Sequence, residues 1–367
     1  MKILITTGIY PPDIGGPATY SKLLFDELPK RGIGVEVLSF GEVRHLPKII
    51  RHLVYFFKIL KRGRRADIIY AQDPVSVGLP TVLANKILRK KFFIRLAGDY
   101  AWEQGVQRFG VQDNLDDFSA KQTGYSFFVQ LFKKIQTKVA QSADGVIVPS
   151  HYFKTIIVNW GVNPEKIKVI YNGIKLVQPV EVEPPQVRGR EEKVLLSVGR
   201  LVPWKGFKFL IEIMPDILKE IPTARLIIVG DGPQKAELEK IIAQLNLQKN
   251  VILTGCLSRE ELFKQKQRVD VFILNTSFES FSFDTVEAMS LGLPVIATRI
   301  GSLPELIENN QEGILVEPNN KEEIKKAIMK IFQDDDFRKK IIHNAWQKVQ
   351  KFSIQNSLNE LEKMLKL

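Results

Sequence analysis

Short apolar runs alternate with helix-period segments along the whole chain. In the first half the runs fall at Lys2–Thr6, Val35–Ser39, Asp67–Ala71, Phe92–Leu96, Gly145–Val148 and Lys168–Tyr171. In the second they fall at Val194–Val198, Ala224–Val229, Val251–Thr254, Val269–Leu274, Pro294–Ala297 and Gly313–Val316. None has the strict alternation of a strand with one wet face, so each is expected to be covered on both faces. Strands and helices in regular alternation predict an α/β chain with doubly wound parallel sheets.

Both halves open on the same unit: a strand, a glycine-bearing loop and an amphipathic helix. The two versions are ILITTGIYPPDIGGPATYSKLL and VLLSVGRLVPWKGFKFLIEI. They are not sequence repeats, yet they predict two Rossmann-like domains with ligands beyond the carboxyl ends of their strands and a cleft shared between them. The stretch VQPVEVEPPQVRGREE separates them, rich in Pro and Glu and without periodicity, and reads as a linker and hinge. The expected domains are 1–178 and 179–350, with 351–367 as a separate C-terminal helix.

Length agrees with two cores, since 367 residues exceed one typical domain of roughly 100–200. Cys256 is the only cysteine, so no disulfide can form within the chain and a reducing, cytoplasmic setting is expected. The opening MKILITTGIYPP is short and β-branched, and reads as a first strand rather than a signal peptide. No apolar run reaches the roughly 18 residues of a membrane span. The net charge is +12, and it is local: between Glu42 and Arg65 eight Lys and Arg face one acid. Within that stretch LPKIIRHLVYFFKILKRGRR sets Ile49, Leu53, Phe56, Phe57 and Leu60 at helical spacing, with Lys48, Arg51, Lys58 and Arg62 on another face. The apolar side is expected to cover the first sheet. The basic rim of 43–65 makes an anionic membrane surface a candidate partner, for a protein peripheral on the cytoplasmic face. No interleaved aromatic and basic motif supports nucleic-acid binding.

Candidate chemistry lies in the second half. Glu279 and Glu287 are separated by seven residues in ESFSFDTVEAMSLGLPVIAT. The first follows a strand end and the second lies one to two turns into a helix starting near Phe283. A carboxylate there can accept from two ribose hydroxyls, and the free N–H groups at the helix start can take a phosphate. Arg200 and Lys205 share the loop SVGRLVPWKGF, where a guanidinium and an ammonium could neutralise a leaving diphosphate without a metal. The four histidines are scattered, and Asp334–Asp336 reads as a helix cap rather than a ligand pair. In the first half, Gly15-Gly16 opens a helix and lets backbone approach a phosphate or sugar closely. Gly230-Asp231-Gly232-Pro233 reads as a structural turn.

As a set these residues resemble the retaining glycosyltransferases of family four, typified by bacterial phosphatidylinositol mannosyltransferases and sucrose synthases. The resemblance runs nearly the full length through PPDIGGPATY, YNGI at 171–174, SVGRLVPWKG at 197–206, LIIVGDGP at 226–233, VILTG at 251–255, the Glu279/Glu287 pair and GILVEP at 313–318. It implies a GT-B architecture in which the first domain takes the acceptor and the second a UDP- or GDP-linked sugar. Matching positions make Arg200, Lys205 and Gly16 diphosphate ligands, Glu287 the ribose ligand and Glu279 a contact of the donor sugar. The backbone at Cys256-Leu257 would read the base. No further cofactor is implied, and the acceptor would be a glycan or a lipid-linked hydroxyl. The C-terminal helix would pack back on the first domain.

The chain departs from this pattern at two histidines, whose places are held by Ala97 in RLAGDYAWE and Gln72 in IIYAQDP. Asp99, and after it Glu103, is the nearest group able to bind a sugar hydroxyl, so Asp99 joins Glu279 as a candidate catalytic residue. Ser282 stands where the family often has Gly. Retention does not require the carboxylate pair, about 5 Å apart, of a retaining hydrolase. Attack from the face that the nucleotide leaves, with a donor phosphate oxygen taking the acceptor proton, uses only positioning and charge. Two other readings stay open: a nucleotide-sugar epimerase, and a silent nucleotide-sugar-binding protein suggested by Ala97.

Overall fold

The computed structural model describes residues 1–13, 15–121, 123–176 and 192–366, with Lys48 and Ile49 described by backbone alone. The expected linker at 177–192 therefore lies, but for Glu192, outside the described residues, and with it all of the hinge expected near 175–192 except Lys175, Leu176 and Glu192. The chain divides into two compact units, Met1–Asn172 with Gln355–Leu367, and Gly173–Ile354.

Unit 1 is a six-stranded parallel sheet of order β2-β1-β3-β4-β5-β6, formed by Lys2–Thr7, Gly34–Ser39, Ile68–Ala71, Lys91–Arg95, Gly145–Val148 and Ile167–Val169 for β1 to β6. β3 and β5 are buried along their whole length, which is why they read as unbroken apolar runs. Seven helices follow in chain order: α1 Gly16–Glu27, α2 Lys48–Gly63, α3 Gly78–Leu88, α4 Tyr100–Arg108, α5 Leu115–Ala120, α6 Phe127–Gln141 and α7 His151–Asn159. Strand order turns outward in both directions from β1, so the switch point lies at the carboxyl ends of β1 and β3. There Gln72 N–H donates to Thr6 O (2.9 Å) and Ser21 Oγ of α1 donates to Gln72 Oε1 (2.8 Å). At the end of β4 the buried Arg95 guanidinium lies 4.0 Å from the Tyr20 ring centroid and donates to Asn172 Oδ1. This ties the asparagine of the YNGI motif to the sheet.

Unit 2 repeats the plan in the order β12-β11-β10-β7-β8-β9. Its strands β7 to β12 are Lys193–Val198, Ala224–Val229, Val251–Gly255, Val271–Leu274, Val295–Thr298 and Ile314–Val316. Its helices are α8 Phe207–Glu212, α9 Met214–Glu220, α10 Lys235–Gln244, α11 Arg259–Lys266, α12 Phe283–Ser290, α13 Leu303–Leu306, α14 Lys321–Gln333 and α15 Asp335–Val349. Asp334 caps α15, accepting from Phe337 N–H at 2.9 Å. The switch point here lies at the carboxyl ends of β7 and β10.

The last helix, α16 at Ile354–Leu365, packs within unit 1 from Gln355 onward. Leu358, Leu361, Met364 and Leu365 are buried, and Arg31 donates to Asn359 and Glu362 (2.7 Å each). The chain thus changes units at 354/355, a few residues after the expected 350/351.

The inward face of α2 differs from the expectation. Tyr55 and Ile59 are buried, with Phe56 and Leu60 half-buried beside them, while Ile50, Leu53 and Phe57 are exposed. The Tyr55 hydroxyl donates to Leu38 O at 2.7 Å, so a tyrosine takes the deepest place because its polar end finds a carbonyl. Lys58 and Arg62 reach Glu42 at 2.6 and 2.9 Å, which leaves Lys61, Arg64 and Arg65 as the exposed cations at the end of the helix.

Candidate active site

The loops after β7 and β10 meet at the switch point of unit 2. Trp204 O accepts from Ser277 N–H (2.7 Å) and Thr276 Oγ (2.9 Å), and Asn275 Nδ2 donates to Gly206 O (3.2 Å). Gly206 must be glycine. Its φ is +64°, and a Cβ there would lie 2.0 Å from Asn275 O. This seam brings two of the expected side chains together: Lys205 Nζ lies 2.7 Å from Glu279 Oε2, both largely screened from solvent. The carbonyl of Glu279 is held from below, since Ser302 N–H donates to it at 3.0 Å. Gly301 makes that approach possible, because a Cβ would stand 2.3 Å from the same oxygen. Arg200, on the β7 loop, is exposed and has no ion pair or side-chain hydrogen bond among the described residues.

Glu287 sits one turn into α12, as its spacing predicts, and is three-quarters buried. Its Oε2 lies 2.8 Å from Nζ of Lys266, a fully buried lysine at the end of α11 that also lies 2.8 Å from Asp284 Oδ1. Its other oxygen, Oε1, lies 3.4 Å from the exposed guanidinium of Arg259. Burial alone would lower the Lys266 ammonium's pKa, but the two carboxylates outweigh it and hold the pKa above its usual value. Ser282 is the N-cap of α12 and accepts from Thr285 N–H (3.2 Å), so the serine in the family's glycine position ends the loop after β10 as a cap. At the end of β9, Gly255 at φ +73° turns the chain into exposed Cys256 and half-buried Leu257. The turn at Gly230 and Gly232 packs against the same β7 loop: a Cβ at Gly230 would meet Gly199 O at 1.9 Å.

In unit 1 the helix α1 begins at Gly16 after Gly15, with no side-chain cap, so no side-chain acceptor from a cap occupies its first turn. A cavity of about 490 Å³ opens at the ends of β1 and β2, lined by Tyr10, Asp13, Ser39, Glu42 and Arg44 among others. Arg44 and Asp13 pair across it at 2.9 Å. Gln72 is buried, and its Nε2 has no partner among the described residues.

Asp99 corrects the sequence expectation. It is fully buried, caps α4 by accepting from Trp102 N–H (2.9 Å), and accepts from Gln136 Nε2 (3.0 Å) and Trp160 Nε1 (3.1 Å). Burial pushes its carboxyl above the ordinary carboxylate range. With no surface and both oxygens engaged, it serves the packing of α4, α6 and α7 rather than a sugar. A local signal pointed this way, since Asp directly before a helical run is an N-cap pattern. Lys266 was missed for the opposite reason: its partners lie 18 and 21 residues away and leave no local trace.

Comparison with known proteins joins these two units to one family. The family described as Glycosyltransferase Family 4 matches residues 14–178, and Glycosyl transferases group 1 matches residues 181–348. Among curated proteins, the uncharacterized glycosyltransferase MJ1607 of Methanocaldococcus jannaschii is 33% identical over 55% of this chain and 54% of its own length. The alpha-monoglucosyldiacylglycerol synthase of Streptococcus pneumoniae is 26% identical over 86% of this chain and 75% of its own. The chain spans about half the length of the first curated relatives it matches. Among solved structures, Anabaena HepE in complex with UDP and glucose superposes with a TM-score of 0.78 at 22% identity, covering 100% of this chain and 99% of that one. With both halves matched in order and the same pair of parallel-sheet units, the chain belongs to the glycosyltransferases of family four, with the GT-B fold.

Proposed function

We propose that this chain moves a hexose from a UDP- or GDP-linked sugar to a hydroxyl acceptor, with retention at the anomeric carbon. The observation that carries the reading is the Lys205–Glu279 pair, set at the switch point of unit 2 with Arg200 on the same loop and Glu287 one turn into α12. A diphosphate arriving there would meet two cations, and its developing charge would be stabilised by them rather than by a metal. Lys205 would exchange its carboxylate partner for the diphosphate. That exchange frees Glu279 to accept from donor-sugar hydroxyls, so the pair is a preformed contact that the substrate opens. Glu287 would take the ribose, and the backbone at Cys256 and Leu257 the base. HepE and the Streptococcus enzyme support the donor class through the UDP and the glucosyl group in their names.

Unit 1 would receive the acceptor. Its helices α2 and α6 both contact α3, and all three expose apolar side chains: Leu53 and Phe57, Leu83 and Ile87, and Phe127 and Phe128. On α2 the exposed Leu53 and Phe57 are followed by the exposed Lys61, Arg64 and Arg65 at its end, a combination that suits an anionic lipid headgroup layer. A lipid-linked or envelope-glycan acceptor on the cytoplasmic membrane face fits that surface. Among the described residues no helix is long and apolar enough to cross a membrane.

The test is a melting panel with UDP- and GDP-sugars, followed by labelled-donor turnover. The correct donor at about 100 times its dissociation constant adds ~2.7 kcal/mol of stability and is slowly hydrolysed or transferred. Binding without any turnover supports the silent reading, and no shift with any nucleotide refutes the donor site.

A further inference from the structure

Lys266 has no place in the roles assigned so far, yet it is the most deeply buried ammonium of unit 2. A buried charge is costly unless it is paired and hydrogen-bonded. Here it is paired twice, 2.8 Å from Asp284 Oδ1 and 2.8 Å from Glu287 Oε2. The helices favour the arrangement: the lysine ends α11, where a cation meets the negative end of the helix dipole, and Asp284 lies in the first turn of α12, where an anion is favoured. The ammonium occupies one oxygen of Glu287 from beneath. The other faces the exposed and longer contact with Arg259. Glu287 therefore cannot swing freely, and only Oε1 is left to an incoming group.

We propose that Lys266 is the positioning residue of the ribose site, holding Glu287 so that its outer oxygen is set for the ribose hydroxyls, and so fixes how strongly the chain separates a ribonucleoside diphosphate from a 2′,3′-dideoxy one. This inference rests on the ribose role given to Glu287 above. It assigns specificity to a side chain that touches no substrate, and it predicts an effect confined to the hydroxyls.

The experiment measures the affinities of UDP, GDP and their 2′,3′-dideoxy forms for the wild-type chain and for K266M, E287A and D284N, with melting followed for each. Wild type should prefer its ribonucleotide over the dideoxy form by roughly 10-fold or more, the effect of a charged hydrogen bond. K266M should lose most of that ratio, moving toward E287A, while its affinity for the dideoxy nucleotide stays within about 2-fold of wild type. D284N leaves the Lys266–Glu287 contact in place and should keep the ratio. If K266M is unfolded at the assay temperature, Lys266→Gln carries the same comparison and should also lower the ratio. A folded K266M or K266Q with the full wild-type ratio overturns the inference and leaves Glu287's role standing. A D284N variant that loses the ratio as fully as K266M also overturns it, because the effect would then follow any damage to this corner. Wild-type chain that does not distinguish ribose from dideoxyribose overturns the ribose assignment, and the inference with it.

Discussion

Replacing Asp99 by alanine separates a structural carboxylate from a catalytic one. The substitution removes the acceptor of three buried donors: Trp102 N–H, Gln136 Nε2 and the Trp160 indole N–H. Loss of the helix cap costs about 1 kcal/mol. Each of the other two donors, left buried without a partner, costs about 1–3 kcal/mol. Relief of the carboxylate's own burial, which raises its pKa, offsets part of this. A net loss of about 3 kcal/mol remains, and in a unit of roughly 185 residues that lowers the melting temperature by about 6–12 °C. Differential scanning calorimetry on D99A measures the loss. Donor turnover, assayed well below the variant's melting point, should stay within about 2-fold of wild type per folded molecule. A variant that melts like wild type but has lost roughly 10²-fold in kcat would return Asp99 to the chemistry.

Arg200→Ala and Lys205→Ala should each lower kcat by roughly 10²-fold, because the diphosphate charge they meet is greatest in the transition state, whereas Glu287→Ala should raise the donor KM by about 10-fold or more. Steady-state kinetics on the three variants separates these effects, and unchanged kinetics in all three removes the site. Deleting 355–367 strips Leu358, Leu361, Met364 and Leu365 from the core of unit 1, and burial of such side chains is worth about 1.5–3 kcal/mol each. Unit 1 should then unfold first in limited proteolysis, and a change confined to unit 2 would contradict the packing of α16. Vesicles containing anionic lipid should co-sediment the wild-type chain at low salt, and a variant with Lys61, Arg64 and Arg65 changed to Gln should bind several-fold more weakly. Binding to neither neutral nor anionic vesicles rules out docking and favours a soluble acceptor.

The sheets were legible because a strand covered on both faces has to be apolar throughout. β5 at Gly145–Val148 and β8 at Ala224–Val229 have the bounds their apolar runs predict, and the other strands shift by one or two residues: pairing runs past the apolar run in β1, β2, β7 and β9, and stops short of it in β3, β10 and β12. The position of Glu287 on α12 was legible for a related reason, since strand, loop and helix follow one another locally. What the sequence hid were contacts between distant segments. The lysine beneath Glu287, the glycine beneath Glu279 and the indole of Trp160 on Asp99, 61 residues away, are all brought in by the fold. The face of α2 was misread because its one strong apolar stripe, through Leu53 and Phe57, is left partly exposed, while Tyr55 and Ile59 to its side turn inward. Tyr55 was chosen for the interior by the carbonyl of Leu38, which no periodicity reveals.

Transfer from a nucleotide sugar with retention is reported directly by the anomeric proton of the first product. Proton NMR recorded during turnover of an α-linked UDP- or GDP-hexose, chosen by the melting panel, follows that signal before mutarotation can scramble it. The newly released or transferred hexose should first appear as the α-anomer. A β-anomer as first product would contradict front-face attack and require a base on the opposite side of the sugar.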